Sequence, residues 1–341
     1  MQDDATLPVT VLTGFLGSGK TTLLRRALSS PALSDTAVIV NEIGAIAIDH
    51  HLVDFVEGDV LELPGGCLCC AVREDLARTV RALLDRRAEG RVRRFSRVVI
   101  ETSGLADPAP ILFTLGADAM LEASLHLARV VTVIDAVTGA ESLVRFPEAA
   151  RQAALADALV ISKTDLAAVG PSLERALAAI NDGAERLLAM ELADPGTVLF
   201  GAPPRPRAAS AMPTEAAHSH GIQSFALTFA APLSRLDFAR ALGALAQARG
   251  YDLLRVKGLV RFSDRPDKVA VVQGAQHAIF PPEWLEDWPD DDRRSRLVFV
   301  VHDISRAEIL ERFAFAAPAI PGAAAADGRR QAGLPTHDAL S

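Results

Sequence analysis

Two short runs in this chain set reactive side chains at spacings that phosphate chemistry requires. The first is Gly14-Phe15-Leu16-Gly17-Ser18-Gly19-Lys20-Thr21, which fits G-x-x-x-x-G-K-[ST]. Glycines at these positions let backbone N–H groups turn inward around phosphate oxygens. A helix starting at the lysine would point its positive end at the same oxygens. Gly14, Gly17, Ser18, Gly19 and Thr22 then line the cradle, Lys20 reaches the β- and γ-phosphates, and the Thr21 hydroxyl faces Mg²⁺. The second run is Glu101-Thr102-Ser103-Gly104, at the end of an apolar stretch. An acid there can hold Mg²⁺ through water, and a glycine three residues on lets its N–H approach the γ-phosphate. Lys20, Thr21, Glu101 and Gly104 are the candidate catalytic set, with Thr21 and Glu101 as the Mg²⁺ pair.

A third run, Ser162-Lys163-Thr164-Asp165, resembles the N-K-x-D signature of GTPases, with Ser in place of Asn. In that signature the Asp carboxylate accepts hydrogen bonds from guanine N1 and N2, which adenine cannot donate, and the Lys stem packs over the base. Unpaired buried acceptors reject the wrong base strongly. Ser162, Lys163 and Asp165 are therefore candidates for the guanine contact.

Thiol chemistry is concentrated in one place. The only three cysteines of the chain, Cys67, Cys69 and Cys70, follow Gly65-Gly66 within four residues. An odd, clustered set is no disulfide framework; it points to metal binding or to reactive thiols. Soft thiolates select Zn²⁺, Co²⁺ or Cu⁺. Three are too few for a closed tetrahedral site, so a further ligand is needed, and an incomplete site suits exchange better than scaffolding. Glu42, at the end of a strand, could add an oxygen. A helix beginning near Ala71 would lower the thiol pKa values. Redox-active thiols are the alternative reading of the same residues. His50 and His51 read as a surface loop, His218 and His220 as linker positions, and His277 has no legible role.

The elements that must position these groups follow from periodicity. Apolar runs at 7–14, 36–42, 97–104, 129–136 and 157–165 read as strands, with helices between them, including one over 71–88. Such alternation implies βαβ units, a mostly parallel sheet, and a ligand at the strands' carboxyl ends. The expected fold class is α/β, a P-loop NTPase domain over 1–200. Residues 201–221, rich in Pro, Ala and Ser, read as a linker. Strands near 222–230, 253–263, 268–273 and 296–303, with helices at 233–249 and from Arg306, predict a small α+β domain over 222–317. Residues 318–341 read as a disordered tail.

Composition narrows the function classes. The chain has 341 residues, half of them hydrophobic, and a formal net charge of -8. That balance argues against a sequence-independent grip on nucleic acid. No apolar run reaches the ~20 residues of a membrane span. The acidic N-terminus is unlike a signal peptide, so the expected compartment is the cytoplasm.

Taken in order, GFLGSGKTTLL, VNEIG…ID, GGCLCC, ETSGLADP and SKTD resemble the CobW-like family of metallochaperone GTPases. The resemblance extends through GYDLLRVKGLV, VQGAQHAIFPP and DDRRSRLVFV, and so covers most of the chain. It implies GTP hydrolysis, slow without a partner, coupled to binding a transition metal, zinc or cobalt. The metal would pass to a client metalloprotein or metal-cofactor enzyme. On that implication Cys67, Cys69, Cys70 and Glu42 are the metal ligands. Two departures stand out. Asn41-Glu42-Ile43-Gly44 is followed by Ala45 where the family commonly has Glu, and the His-rich stretch is reduced to His218-Ser219-His220. Rival readings are a metabolic kinase, a nucleotide-binding metal sensor or store, and a thiol-redox regulator.

Overall fold

The computed structural model describes residues 6–30, 33–41, 60–62, 69–201 and 220–316. Two sheets organise it. The first has seven strands, β1 (Leu7–Thr13), β2 (Thr36–Asn41), β3 (Val60–Glu62), β4 (Arg97–Thr102), β5 (Leu125–Asp135), β6 (Ala158–Ser162) and β7 (Glu185–Leu188). Their order across the sheet is β3-β2-β4-β1-β5-β6-β7, and every pairing is parallel. The helices between them are α1 (Lys20–Leu28), α2 (Cys69–Ala88), α3 (Ala109–Ala117), α4 (Ala119–Ser124), α5 (Gly139–Arg145), α6 (Pro147–Leu155), α7 (Pro171–Asn181) and α8 (Gly196–Phe200).

The continuous apolar strands follow from this arrangement, because both faces of the sheet are covered. Successive side chains point to opposite faces. Val9, Val11, Val98, Ile100, Leu159 and Ile161 join one core with α2, α3, α6 and α7. Leu12, Val99, Val131, Val133 and Val160 join the other with α1 and α8. β1 sits between β4 and β5, the point where the strand order reverses, and such folds bind ligands at that crevice.

The second sheet is antiparallel and contains β8 (Ile222–Phe229), β9 (Arg255–Val260), β10 (Val269–Ala275), β11 (Ala278–Ile279), β12 (Glu283–Leu285) and β13 (Ser295–His302). Its order is β11-β10-β9-β13-β8, with β12 on β10. The helices α9 (Arg235–Arg249) and α10 (Arg306–Arg312) cover one face, over Leu297, Phe299, Val301 and a group of phenylalanines around Phe313. The other face meets the first unit: Ile222, Leu254, Ala275, Ala278, Phe280 and Val300 belong to the same apolar cluster as α3 and α6. Contact there is close. A methyl added at Gly116 of α3 would lie 2.9 Å from Phe280 Cε1 and 3.2 Å from Ala278 Cβ.

An ion cluster crosses the same boundary. Asp157, just before β6, accepts from Arg255 Nη2 at 2.8 and 3.0 Å and from Lys257 Nζ at 3.0 Å, both on β9. It also accepts the backbone N–H of Val130 at 2.9 Å. Burial pushes the Asp157 carboxyl up, but Arg255 and then Lys257 outweigh that and hold it well below the usual carboxylate range. Burial also pulls the Lys257 ammonium below the ordinary lysine value.

Several elements differ from the sequence reading. The helix expected near Ala71 begins at Cys69, so Cys69 and Cys70 open α2 instead of preceding it. Intrinsic propensity could not place that boundary, because Cys and Ala differ by only several tenths of a kcal/mol in a helix. The strand expected at 129–136 begins at Leu125, and β7 carries no alternation that would mark it, being half-buried throughout. Most of the expected linker and all of the expected tail lie outside the described residues. Among the described residues no helix is long and apolar enough to cross a membrane.

Candidate functional site

The glycine-rich run forms the turn from β1 into α1. Gly17 and Gly19 hold φ of 70° and 97°, a region where a side chain is strained, and Gly19 caps the helix. The first turn of α1 contains no acid, so its N–H groups face an anion site without competition. Lys20 is 9% exposed, and its ammonium donates to Gly14 O at 2.8 Å and Phe15 O at 3.4 Å. It therefore lies across the mouth of its own loop. Thr22, one residue beyond Thr21, is exposed on α1. Phe15 stacks on Phe146 with ring centroids 4.6 Å apart, which ties the loop to the start of α6.

The second run meets the first directly. Leu12 of β1 pairs with Glu101 of β4, and the Thr21 hydroxyl donates to Glu101 Oε1 at 2.8 Å. Thr102 donates to Thr13 across the same strands at 2.8 Å. A Cβ at Gly104 would lie 2.8 Å from both the Cα and the N of Leu16, so only glycine allows this loop to touch the P-loop. The loop is held from behind by Gln152 of α6, which is fully buried and donates to Gly104 O at 3.1 Å and Ala106 O at 3.0 Å. Asp107 accepts from Ala109 N at 2.9 Å at the start of α3 and meets Arg151 at 3.3 Å.

Gln152 gives a direct test of that support. Gln152→Met keeps the volume and removes both donors, leaving two carbonyls without partners. The expected result is a loss of about 2 kcal/mol in chemical unfolding, and a larger loss of GTP turnover than of GDP affinity. Unchanged stability and turnover would show that the loop holds itself.

The third run closes the site on the other side. Ser162 Oγ donates to Ser18 O at 2.6 Å and lies 3.3 Å from Ile134 O. Serine in place of asparagine thus still bridges the base loop to the P-loop. Lys163 adopts a left-handed backbone, φ 56°, and its ammonium pairs with Asp135. Asp165 is exposed beyond it. Asp135 ends β5 and also accepts from Val137 N at 2.7 Å and Thr138 N at 3.3 Å. Burial raises the Asp135 carboxyl, and the Lys163 hydrogen bond with the two backbone N–H groups brings it below the usual value.

The structure therefore brings together Gly14, Gly17, Ser18, Gly19, Lys20, Thr21, Glu101, Gly104 and Ser162. Cys69 and Cys70 begin α2. Cys67, Glu42, His50, His51 and His218 lie outside the described residues. The backbone leading to them is informative. Val40 of β2 pairs with Glu62 of β3 on one side and Glu101 of β4 on the other. The chain thus enters the Glu42 segment and the cysteine segment from neighbouring strand ends at the Glu101 edge. His277 instead joins an aromatic seam, with Tyr251 at 4.8 Å and Phe113 of α3 at 6.3 Å. Sequence reasoning missed Asp135 and Gln152. Asp135 carried the same signal as Glu101, an acid ending an apolar strand. Gln152 carried a weaker one, a single polar residue on a buried alanine face.

Comparison with known proteins agrees with this geometry. The CobW/HypB/UreG nucleotide-binding domain matches residues 8–187, and the cobalamin synthesis protein CobW C-terminal domain matches residues 222–317. The zinc chaperone YjiA of Escherichia coli is 31% identical over 314 residues, covering 90% of this chain and 98% of that protein. The zinc chaperone CobW of Pseudomonas aeruginosa is 30% identical over 351 residues, covering 91% of each chain. The crystal structure of Zn(II)-bound YjiA GTPase superposes with a TM-score of 0.64 at 28% identity, over 91% of this chain and 99% of that one. The chain belongs to the CobW/HypB/UreG family of P-loop GTPases and carries the CobW C-terminal domain.

Proposed function

We propose that this protein is a GTP-driven carrier of a transition metal, zinc first and cobalt second. It would hand the metal to a client metalloprotein or metal-cofactor enzyme. The observation that carries the reading is the edge shared by two chemistries. Thr21 and Glu101 join the phosphate runs there, 2.8 Å apart, and β2 and β3 lead into Glu42 and the cysteine run beside them. The zinc-chaperone relatives support the choice of metal.

On this reading Gly14, Gly17, Ser18, Gly19 and Thr22 hold the phosphates through backbone and hydroxyl groups, and Lys20 turns from Gly14 O to the phosphate oxygens. Ser162, Lys163 and Asp165 hold guanine. A hydroxyl and a carboxylate in contact at the helix start fit Mg²⁺, and Thr21 and Glu101 would hold it. When bound, the ion neutralises charge on the β- and γ-phosphates. Gly104 lies against the P-loop, so its N–H is placed to report the γ-phosphate. Cys67, Cys69, Cys70 and Glu42 take the cargo metal. The second unit, 222–317, then serves as a docking or covering domain after a linker at 201–221, with 1–200 as the nucleotide domain. Exchange through free thiolates requires a reducing compartment, which places the protein in the cytoplasm.

The test is release. Protein loaded with Zn²⁺ and Mg²⁺–GTP is mixed with a colorimetric zinc chelator while phosphate is followed in parallel. Chelator-accessible zinc should appear at the rate of phosphate release. Zinc that is equally accessible before and after hydrolysis would favour a sensor or store, and activity that tracks thiol oxidation without metal would favour redox control.

A further inference from the structure

We infer that Asp135 is a positioning residue for nucleotide binding, acting through Lys163 to set the platform on which the base lies. The inference rests on the reading of Lys163 and Asp165 as the base contacts. Asp135 and Ser162 are register partners at the ends of the parallel strands β5 and β6. Ala136 N also donates to Ser162 O at 3.0 Å, so the two strand ends remain joined as the chain leaves them. The next residue, Lys163, takes the left-handed backbone that side-chain-bearing residues avoid. That conformation costs about 1–2 kcal/mol in an L-residue. Strain of this kind persists where surrounding contacts over-determine it, and it clusters at binding sites.

Three contacts over-determine it here. The Lys163 carbonyl accepts from Leu166 N at 3.0 Å and Ala167 N at 3.2 Å, which starts the following turn. Ser162 anchors to Ser18 O in the P-loop. Asp135 takes the ammonium. Asp135 is itself fixed, 7% exposed and gripped by the N–H groups of Val137 and Thr138. Lys163 remains half-buried, so its methylene stem is tethered at both ends while one side stays open. A tethered stem has already lost the rotamer freedom that ordering it under a base would otherwise cost. The carboxylate is therefore the part of the base site that pre-organises the lysine.

Asp135→Asn isolates this role. The amide oxygen still accepts from Val137 N and Thr138 N, so the turn is kept, and only the charge on the lysine's partner is removed. The full-length protein is titrated with GDP, a non-hydrolysable GTP analogue and inorganic tripolyphosphate, and GTP turnover is measured at saturation. GDP and the analogue should each bind about 5- to 10-fold more weakly. Tripolyphosphate affinity should stay within about 2-fold, and saturated turnover likewise. Asp135→Glu, which restores the carboxylate, should recover most of the nucleotide affinity. Unchanged GDP affinity in Asp135→Asn, or an equal loss for tripolyphosphate, would overturn the inference. Asp165→Asn is the control for the base site: it swaps an acceptor for a donor and should move preference from guanine to xanthine nucleotides. If it does not, the base-site reading fails; if it does and Asp135→Asn binds normally, only the positioning role fails.

Discussion

Lys20→Met should lower GTP turnover by about 100- to 1,000-fold, the range seen when one electrostatic contact to a developing charge is removed. The substitution keeps the buried stem and removes the ammonium. In the structure that ammonium has no counter-charge of its own among the hydrogen bonds described for it; it rests on the carbonyls of Gly14 and Phe15. Carbonyl dipoles hold a cation in place and leave its charge largely available to a polyphosphate. Affinity should fall less than turnover. The N-terminus of α1 and the inward N–H groups of the loop remain, and they bind phosphate in the ground state as well as in the transition state. Folding should be nearly unaffected, because a buried cation leaves with its carbonyl contacts. Phosphate release under single-turnover conditions gives the number directly. A fall of less than about tenfold would show that Lys20 does not face the transferring phosphate.

The second large effect lies at the other end of the sheet. Asp157→Ala should destabilise the protein by about 3–5 kcal/mol, because it leaves Arg255 and Lys257 buried without their counter-ion. The effect should be near its maximum at neutral pH. Asp157 has a folded pKa below its unfolded value, so its contribution is complete above the unfolded carboxylate pKa. It is lost as pH falls from about 4 towards the lower folded value. Lys257 acts in the opposite sense: its folded pKa is lowered, so it opposes folding at neutral pH, and that penalty fades as pH rises towards the ordinary lysine value. Wild type should therefore gain stability from acid to neutral pH, and Asp157→Ala should show a flatter acid limb. Urea unfolding at pH 7 and pH 4 measures both. The substitution should also loosen the contact between the two units, since the cations come from β9 and the carboxylate from the β6 side. A loss below about 1 kcal/mol at pH 7 would mean that water already reaches the cluster.

The phosphate site was the most legible part of the sequence, because its chemistry is local. Gly14 to Thr21 act through one turn and one helix start, and glycine spacing alone reports both. Glu101 and Ser162 were legible as strand ends, where a polar residue after an apolar run marks the ligand edge of a parallel sheet. What spacing could not show is partnership. Asp135 and Lys163 are 28 residues apart, and Gln152 reaches Gly104 across 48. Neither pairing leaves a periodic trace. The contact between the units was equally hidden, since Arg255 and Lys257 read as polar positions on a strand, whereas the structure buries them against Asp157. Boundaries shifted where propensity is flat, as at Cys69, and edge elements such as β7 were passed over because half-buried strands carry no alternation.

The central claim is that nucleotide state sets metal affinity, and its most direct measurement is zinc affinity in two nucleotide states. The reduced protein is titrated with Zn²⁺ against a competing chelator, with Mg²⁺ and either a non-hydrolysable GTP analogue or GDP, alongside Cys69→Ala. Coupling between two sites amounts to about 5- to 150-fold in affinity, and by linkage zinc must tighten the GTP analogue by the same factor. The account predicts zinc binding tighter in the GTP-like state by a factor in that range, with the difference abolished in Cys69→Ala. Equal zinc affinity in the two states would contradict it, leaving a GTPase and a thiol site that do not communicate.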